Sequence, residues 1–154
     1  MRLTRFSDIG LRVLIYLARA EPGRPPVTIA EIGTQFDLPL NHLIKVVPQL
    51  AHAGWVQATR GRNGGLRLQA DPTRLRIGAV LRVLEGDAEL IDCEGQGCRL
   101  SLDCHLRGAL QAGLRAFYDA MDRYTLADLC AGSTGEQIVR MHHMFLQGDE
   151  ALHA

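Results

Sequence analysis

A chain of 154 residues, 47% hydrophobic and 22% charged, is ordinary globular material, enough for one domain with an appendage. Arg12 and Arg19 interrupt the best apolar stretch, 9–20, and the N-terminus lacks the apolar region of a secretory signal; the chain is therefore expected in the cytoplasm with no membrane partner. The zero net charge conceals an asymmetry. Residues 1–86 hold 12 Lys/Arg against 6 Asp/Glu and residues 87–154 hold 5 against 11, which suits a polyanion for the first half and solvent or protein for the second.

In chain order, Thr4 or Ser7 can cap a first helix with an apolar stripe of Leu11, Leu14, Ile15 and Ala18. The Pro-rich turn over 22–26 ends it. Thr28 with Glu31 forms the pattern of a capping box, opening a short helix to about Phe36. Asp37-Leu38-Pro39 makes a turn, with Pro39 placed in the first turn of a second helix that runs to about Ala53 and stops at Gly54, a left-handed cap. Two strands over 55–60 and 66–70 flank Asn63-Gly64, a hairpin signal because both residues tolerate positive φ. A helix over 77–84 closes at Gly86, and a loop spans 87–104. In the following helix, over 105–124, Leu110, Leu114, Phe117, Met121 and Tyr124 recur at spacings of four and three. This seam, on a helix about 30 Å long, is more than the small preceding domain can cover, so it predicts a dimer interface. Residues 131–154 are expected as a loosely ordered tail.

The fold class expected is mainly α with a small β-hairpin: a winged helix-turn-helix followed by a long dimerisation helix. Helix pair and turn occupy 28–53 and the wing 55–70. The second helix carries Asn41, His42 and Lys45 near the end that enters the major groove in this motif. The wing tip carries Arg60, Arg62, Asn63, Gly64 and Gly65, in which arginines suit a minor groove and glycines admit close approach to phosphate. Pro48, inside the second helix, predicts a kink or a loosened turn beyond the DNA-reading end. Leu50 and Trp55 are expected in the core.

Three of the four cysteines cluster as Cys93-x4-Cys98-x5-Cys104 in the loop. A reducing compartment argues against disulfides, and the clustering points to metal or redox chemistry. Zinc sites favour close cysteine pairs, with a second pair or histidines to complete four ligands, a pattern absent here. Three thiolates on one loop can instead hold three irons of a cubane cluster and leave the fourth for another ligand. Asp8, His105, Cys130, Asp92, Glu94 and Asp103 are candidates for that place, although Cys130 reads better as a small buried residue. His142-His143 reads as a solvated helix face. A metal-free thiol switch is the competing reading. No nucleophile–base–orienter set and no phosphate loop appear, so an enzyme is not expected.

The opening Met1-Arg-Leu-Thr-Arg-Phe-Ser-Asp-Ile-Gly-Leu-Arg12, the segment Asn41-His-Leu-Ile-Lys45, the wing Arg60-Gly-Arg-Asn-Gly-Gly-Leu-Arg-Leu68, the three-cysteine loop and Tyr124-Thr-Leu-Ala-Asp-Leu129 jointly resemble the Rrf2-type winged-helix regulators, over roughly residues 1–130. The pattern is most similar to the nitric-oxide-sensitive repressors of that family. The resemblance implies a homodimer on a palindromic operator, with one cluster per chain, 4Fe–4S favoured over 2Fe–2S, on Cys93, Cys98 and Cys104. It implies Asp8 of the partner subunit as fourth ligand; Arg12, one turn later, could orient it through an i,i+4 ion pair. It further implies that nitric oxide displaces Asp8, breaks a link between subunits and releases DNA. A cluster-status branch of the family places a histidine three residues after the third cysteine, where this chain has Arg107. Such a regulator, or a metal-free or zinc-bound thiol regulator, is the alternative.

Overall fold

The computed structural model describes residues 2–19, 25–61, 64–86, 90–91, 95, 97–100 and 104–153, with side chains as far as residue 148. Along the chain lie α1 (Arg5–Leu17), α2 (Ile29–Phe36), α3 (Leu40–His52), β1 (Val56–Thr59), β2 (Gly65–Leu68), α4 (Ile77–Glu85), α5 (His105–Met121), α6 (Leu126–Leu129) and α7 (Gly132–His153). The architecture is the mainly helical one expected, with one antiparallel hairpin in the register Val56↔Leu68 to Thr59↔Gly65.

Thr4 caps α1 by accepting from the Ser7 amide at 3.2 Å. The Glu85 carboxylate at the end of α4 accepts in turn from the Thr4 amide (2.9 Å) and hydroxyl (3.1 Å). The cysteine loop therefore leaves α4 from the foot of α1. The core side of α1 is broader than the expected stripe. Ile9, Val13, Leu14, Tyr16 and Leu17 are buried against α3, α4, the hairpin and α6, whereas Leu11, Ile15 and Ala18 lie at its margin. A helix packed on several sides shows no narrow stripe.

The Thr28 hydroxyl accepts from the Glu31 amide at 3.0 Å and starts α2, while the Glu31 side chain, expected to complete a capping box, turns into the interior instead. Asp37 ends it at φ 51°, ψ 50°, the one positive φ outside glycine among the described residues. A side chain in left-handed geometry costs roughly 1–2 kcal/mol, more than glycine's extra backbone entropy. Asp37→Gly is thus expected to stabilise the fold by about 0.5–1 kcal/mol, read as a raised urea midpoint at unchanged slope. A lowered midpoint would contradict this account of the turn.

Pro39 stands one residue before α3 as its cap, not inside the first turn, and Gly54 (φ 75°) follows the helix as expected. Helix α3 runs through Pro48, where a kink or a loosened turn was expected, and continues to His52. Pro48 lies on the exposed side, where the loss of one helical bond is met by solvent. The hairpin has a third neighbour that the sequence did not predict. Val27 bridges Leu66 through bonds of 2.7 and 3.1 Å, so the segment ahead of α2 anchors the wing's base. Gly65, expected in the connecting loop, opens β2 instead. A Cβ there would lie 2.8 Å from Pro26 Cβ and 2.9 Å from the Val27 carbonyl, so only glycine lets the strands close.

Helix α5 ends at Met121, and Tyr124, expected as the last seam residue, lies in the turn beyond, where its carbonyl accepts from the Ile77 amide at 3.0 Å. Thr125 and Asp128 form a full capping box that opens α6. Residues expected as a loose tail form α7, a helix of 22 residues. Gly135, Ile138 and His142, spaced three and four apart, are its buried contacts. A Cβ at Gly135 would run into the Cys130 carbonyl and the Arg19 guanidinium. So sparse a stripe, on a helix rich in glycine and polar residues, gives little periodic signal. Among the described residues no helix is long and apolar enough to cross a membrane.

Candidate functional site

Helix α3 buries Leu43, Val46, Val47 and Leu50 and turns Asn41 and Lys45 to solvent, where a polyanion can reach both. His42 is half-buried and faces α1. With Arg5, Phe6, Ile9, Lys45 and Val46 it lines a cavity of about 270 Å³, and its Nδ1 is buried. Two apolar residues share the solvent side: Leu40 is 50% and Ile44 60% exposed. The sequence reading passed over both. Their signal was positional, since core spacing through Leu43, Val46, Val47 and Leu50 leaves 40 and 44 on the opposite face.

In the wing, Arg60 and Gly61 are exposed, and the Gly64 amide donates to the Gly61 carbonyl at 2.9 Å to close the turn. Gly64 and Gly65 are half-buried. Arg62 and Asn63 lie outside the described residues. The described part presents one arginine at the end of a hairpin whose base is held by Val27.

Of the cysteines, Cys98 is exposed and Cys104 is half-buried in the cap position of α5, where no side-chain hydrogen bond engages it. Cys93, with Asp92, Glu94 and Asp103, lies outside the described residues, among which no three His, Cys, Asp or Glu side chains converge on a metal-sized site. An exposed thiol at Cys98 and a half-buried one at Cys104 on the head of α5, whose amides favour negative charge, fit a thiolate-held metal group. Cys130 does not fit. It is buried, its Sγ–H donates to the Ile15 carbonyl at 3.6 Å, and burial pushes its thiol up, with a smaller opposing pull from Arg19.

Asp8 stands in the first turn of α1, and Arg12 Nε donates to both its carboxylate oxygens at 3.1 Å, the expected i,i+4 pair. Both side chains are nearly half exposed, so the pair adds little stability. Its effect is geometric: the carboxylate is held outward, with Arg12 also resting over the Phe36 ring at 5.8 Å. His105 is exposed at the start of α5.

A second polar cluster lies inside the protein. Tyr16 Oη donates to Glu31 Oε1 at 2.7 Å, and His142 Nδ1 meets the same oxygen at 2.5 Å. Glu31 and His142 are 2% and 3% exposed, and the Tyr16 ring meets His142 edge-on at 6.2 Å. Burial foremost, then the neighbouring carboxylate, raises the Tyr16 hydroxyl far above its usual range. The expectation that His142 belongs to a solvated face is therefore corrected. Glu31, read from the sequence as a helix cap alone, also joins α2 to α1 and α7.

None of the described α5 side chains is buried within the single chain. Leu110, Leu114 and Tyr118 face Leu90 and Ile91 across an apolar cavity of about 410 Å³, bordered by Arg82. Leu106, one turn above, is largely exposed.

A family model described as Rrf2, iron-dependent transcriptional regulator, matches residues 3–132. The HTH-type transcriptional repressor NsrR of Streptomyces coelicolor is 43% identical over 136 residues, covering 88% of this chain and 92% of that protein. A crystal structure from Listeria innocua, named as a transcriptional regulator, superposes with a TM-score of 0.68 at 29% identity, over 87% of this chain and 89% of the other. The oxidized form of Staphylococcus aureus CymR superposes at 0.66 with 26% identity, over 86% and 98%.

Proposed function

The chain belongs to the Rrf2 family of transcriptional regulators, a non-enzymatic class, and from that premise we propose that it is a DNA-binding repressor whose operator affinity is set by a nitric-oxide-sensitive iron–sulfur cluster. The carrying observation is the contrast among its cysteines. Cys98 is open and Cys104 half-open on the loop side of α5 within the Cys93-x4-Cys98-x5-Cys104 spacing, while Cys130 is sealed in the core. The 43% identity to the Streptomyces repressor supports the same reading.

Cys93, Cys98 and Cys104 would hold three irons of a 4Fe–4S cluster, and Asp8 of the partner subunit the fourth. When bound, the cluster supplies iron that reacts with nitric oxide. Asp8 is the hard ligand among soft ones and the easiest to displace. In that role Asp8 would tie one subunit to the cysteine loop of the other, and Arg12 of its own helix would hold its carboxylate when it is not bound. Without that tie only the α5 seam would join the subunits. That seam is Leu110, Leu114, Phe117 and Met121, whose side chains one chain leaves without full cover. In the dimer each α3 presents Asn41 and Lys45 to a major groove, His42 behind them. Each wing would present Arg60, Arg62, Asn63 and Gly64 to the adjoining minor groove and backbone, while Gly65, closed against Pro26 and Val27, serves the wing's base. A palindromic operator with half-sites about 34 Å apart requires the two helices at fixed separation, which the Asp8 link maintains.

Asp8→Ala tests the link. The variant is expected to retain a three-cysteine cluster, in part, and to respond differently to nitric oxide. Wild-type behaviour in both nitric-oxide titration and DNA binding would remove Asp8 from the mechanism. The metal-free thiol reading draws support from the likeness to a regulator solved in an oxidized form. It requires instead that iron and acid-labile sulfide be absent after anaerobic preparation.

A further inference from the structure

Leu40 and Ile44 stand on the solvent side of α3 at 50% and 60% exposure, and Pro48 continues them at the same four-residue interval. Residues four apart stack along one helix face, so these three form a short apolar ridge. It is not surplus core: α3 fills the interior with Leu43, Val46, Val47 and Leu50. Asn41 and Lys45 stand beside the ridge, also exposed. The surrounding half of the chain carries twice as many basic as acidic residues, which disfavours an acid-poor protein surface as occupant and favours DNA.

The one apolar group on the floor of the major groove is the 5-methyl of thymine. We infer that Leu40 and Ile44 read thymine methyl groups in each half-site, while Asn41 and Lys45 supply the polar contacts beside them. This rests on the DNA-binding reading above and adds which base the ridge selects. Four residues of α-helix advance about 6 Å, and base pairs rise about 3.4 Å, so the two thymines stand about two base steps apart. Ile44, the more exposed, is the principal reader. Pro48, a turn further from the reading end, borders the ridge.

The test uses full-length protein, purified anaerobically, and a library of random DNA duplexes. The enriched duplex is resynthesised with deoxyuridine replacing one thymidine at a time, which removes the methyl and keeps every hydrogen-bonding group. At the thymine facing Ile44 the wild-type protein is expected to lose about fourfold in affinity, the effect of one buried methyl group. In Ile44→Ala, a surface substitution outside the core, the same deoxyuridine is expected to have no further effect. Half-sites enriched without thymine, or deoxyuridine tolerated by the wild-type protein, would overturn the inference and leave DNA binding intact. An equal deoxyuridine effect in both proteins would also overturn it. If no sequence is enriched, the DNA-binding reading falls and the inference with it.

Discussion

Cys98→Ser is expected to abolish the visible cluster absorbance and the nitric-oxide response together while leaving the fold intact. Serine offers a hydroxyl where iron requires a thiolate, and two remaining cysteines cannot hold a cubane. Iron retained after desalting should fall at least about tenfold, the smaller end of what even supporting residues contribute at metal sites. The side chain is exposed, so unfolding of the cluster-free protein should be unchanged. Cys130→Ala separates the two roles. It should keep the chromophore and lower stability by about 1–2 kcal/mol, because it removes a buried sulfur packed against α1. If Cys130→Ala bleached the protein and Cys98→Ser did not, the ligand assignment would be reversed.

His142→Ala is expected to destabilise the protein by about 3 kcal/mol, the scale for leaving a buried polar partner unsatisfied and opening a void beside it. The substitution leaves the Glu31 carboxylate with Tyr16 as its partner in a region closed to water and opens a void between α7 and the body. Glu31→Gln should cost less, since an amide oxygen still accepts from Tyr16. The double variant should be less destabilised than the two singles combined, because His142→Ala removes, and Glu31→Gln weakens, the same contact. Urea unfolding of cluster-free protein measures all three. Additive losses, or a wild-type midpoint for His142→Ala, would show that α7 is not fastened through this oxygen. Helix α7 lies past residue 132, where the family match ends, yet it is clipped to α2 of the helix-turn-helix.

Elements bounded by strong backbone chemistry were legible in the sequence. Gly54 and Gly86 mark the ends of α3 and α4, Thr28 the start of α2, and Asn63-Gly64 the turn of the hairpin. The spacing of the loop cysteines and the Asp8–Arg12 interval were equally readable, and the ion pair is present. What escaped depends on contacts between distant segments. Val27 pairs with Leu66 across the wing, and no local pattern announces a single bridge. Glu31 satisfies the pattern of a cap through its amide, which hid the partners of its carboxylate on α1 and α7. Helix α7 docks through three positions, Gly135, Ile138 and His142, of which only Ile138 is a large apolar residue, too few for periodicity to register. Pro48 sits inside α3 on its exposed side, where the opposite face, packed in the core, carries the helix past it.

The most direct test of the central claim is an anaerobic nitric-oxide titration of the full-length protein on its library-enriched duplex. Visible absorbance and DNA-bound fraction are followed in the same sample. The account predicts a brown, iron- and sulfide-containing protein whose absorbance bleaches in step with release of DNA. A colourless protein after anaerobic reconstitution, or DNA retained after complete bleaching, would contradict it.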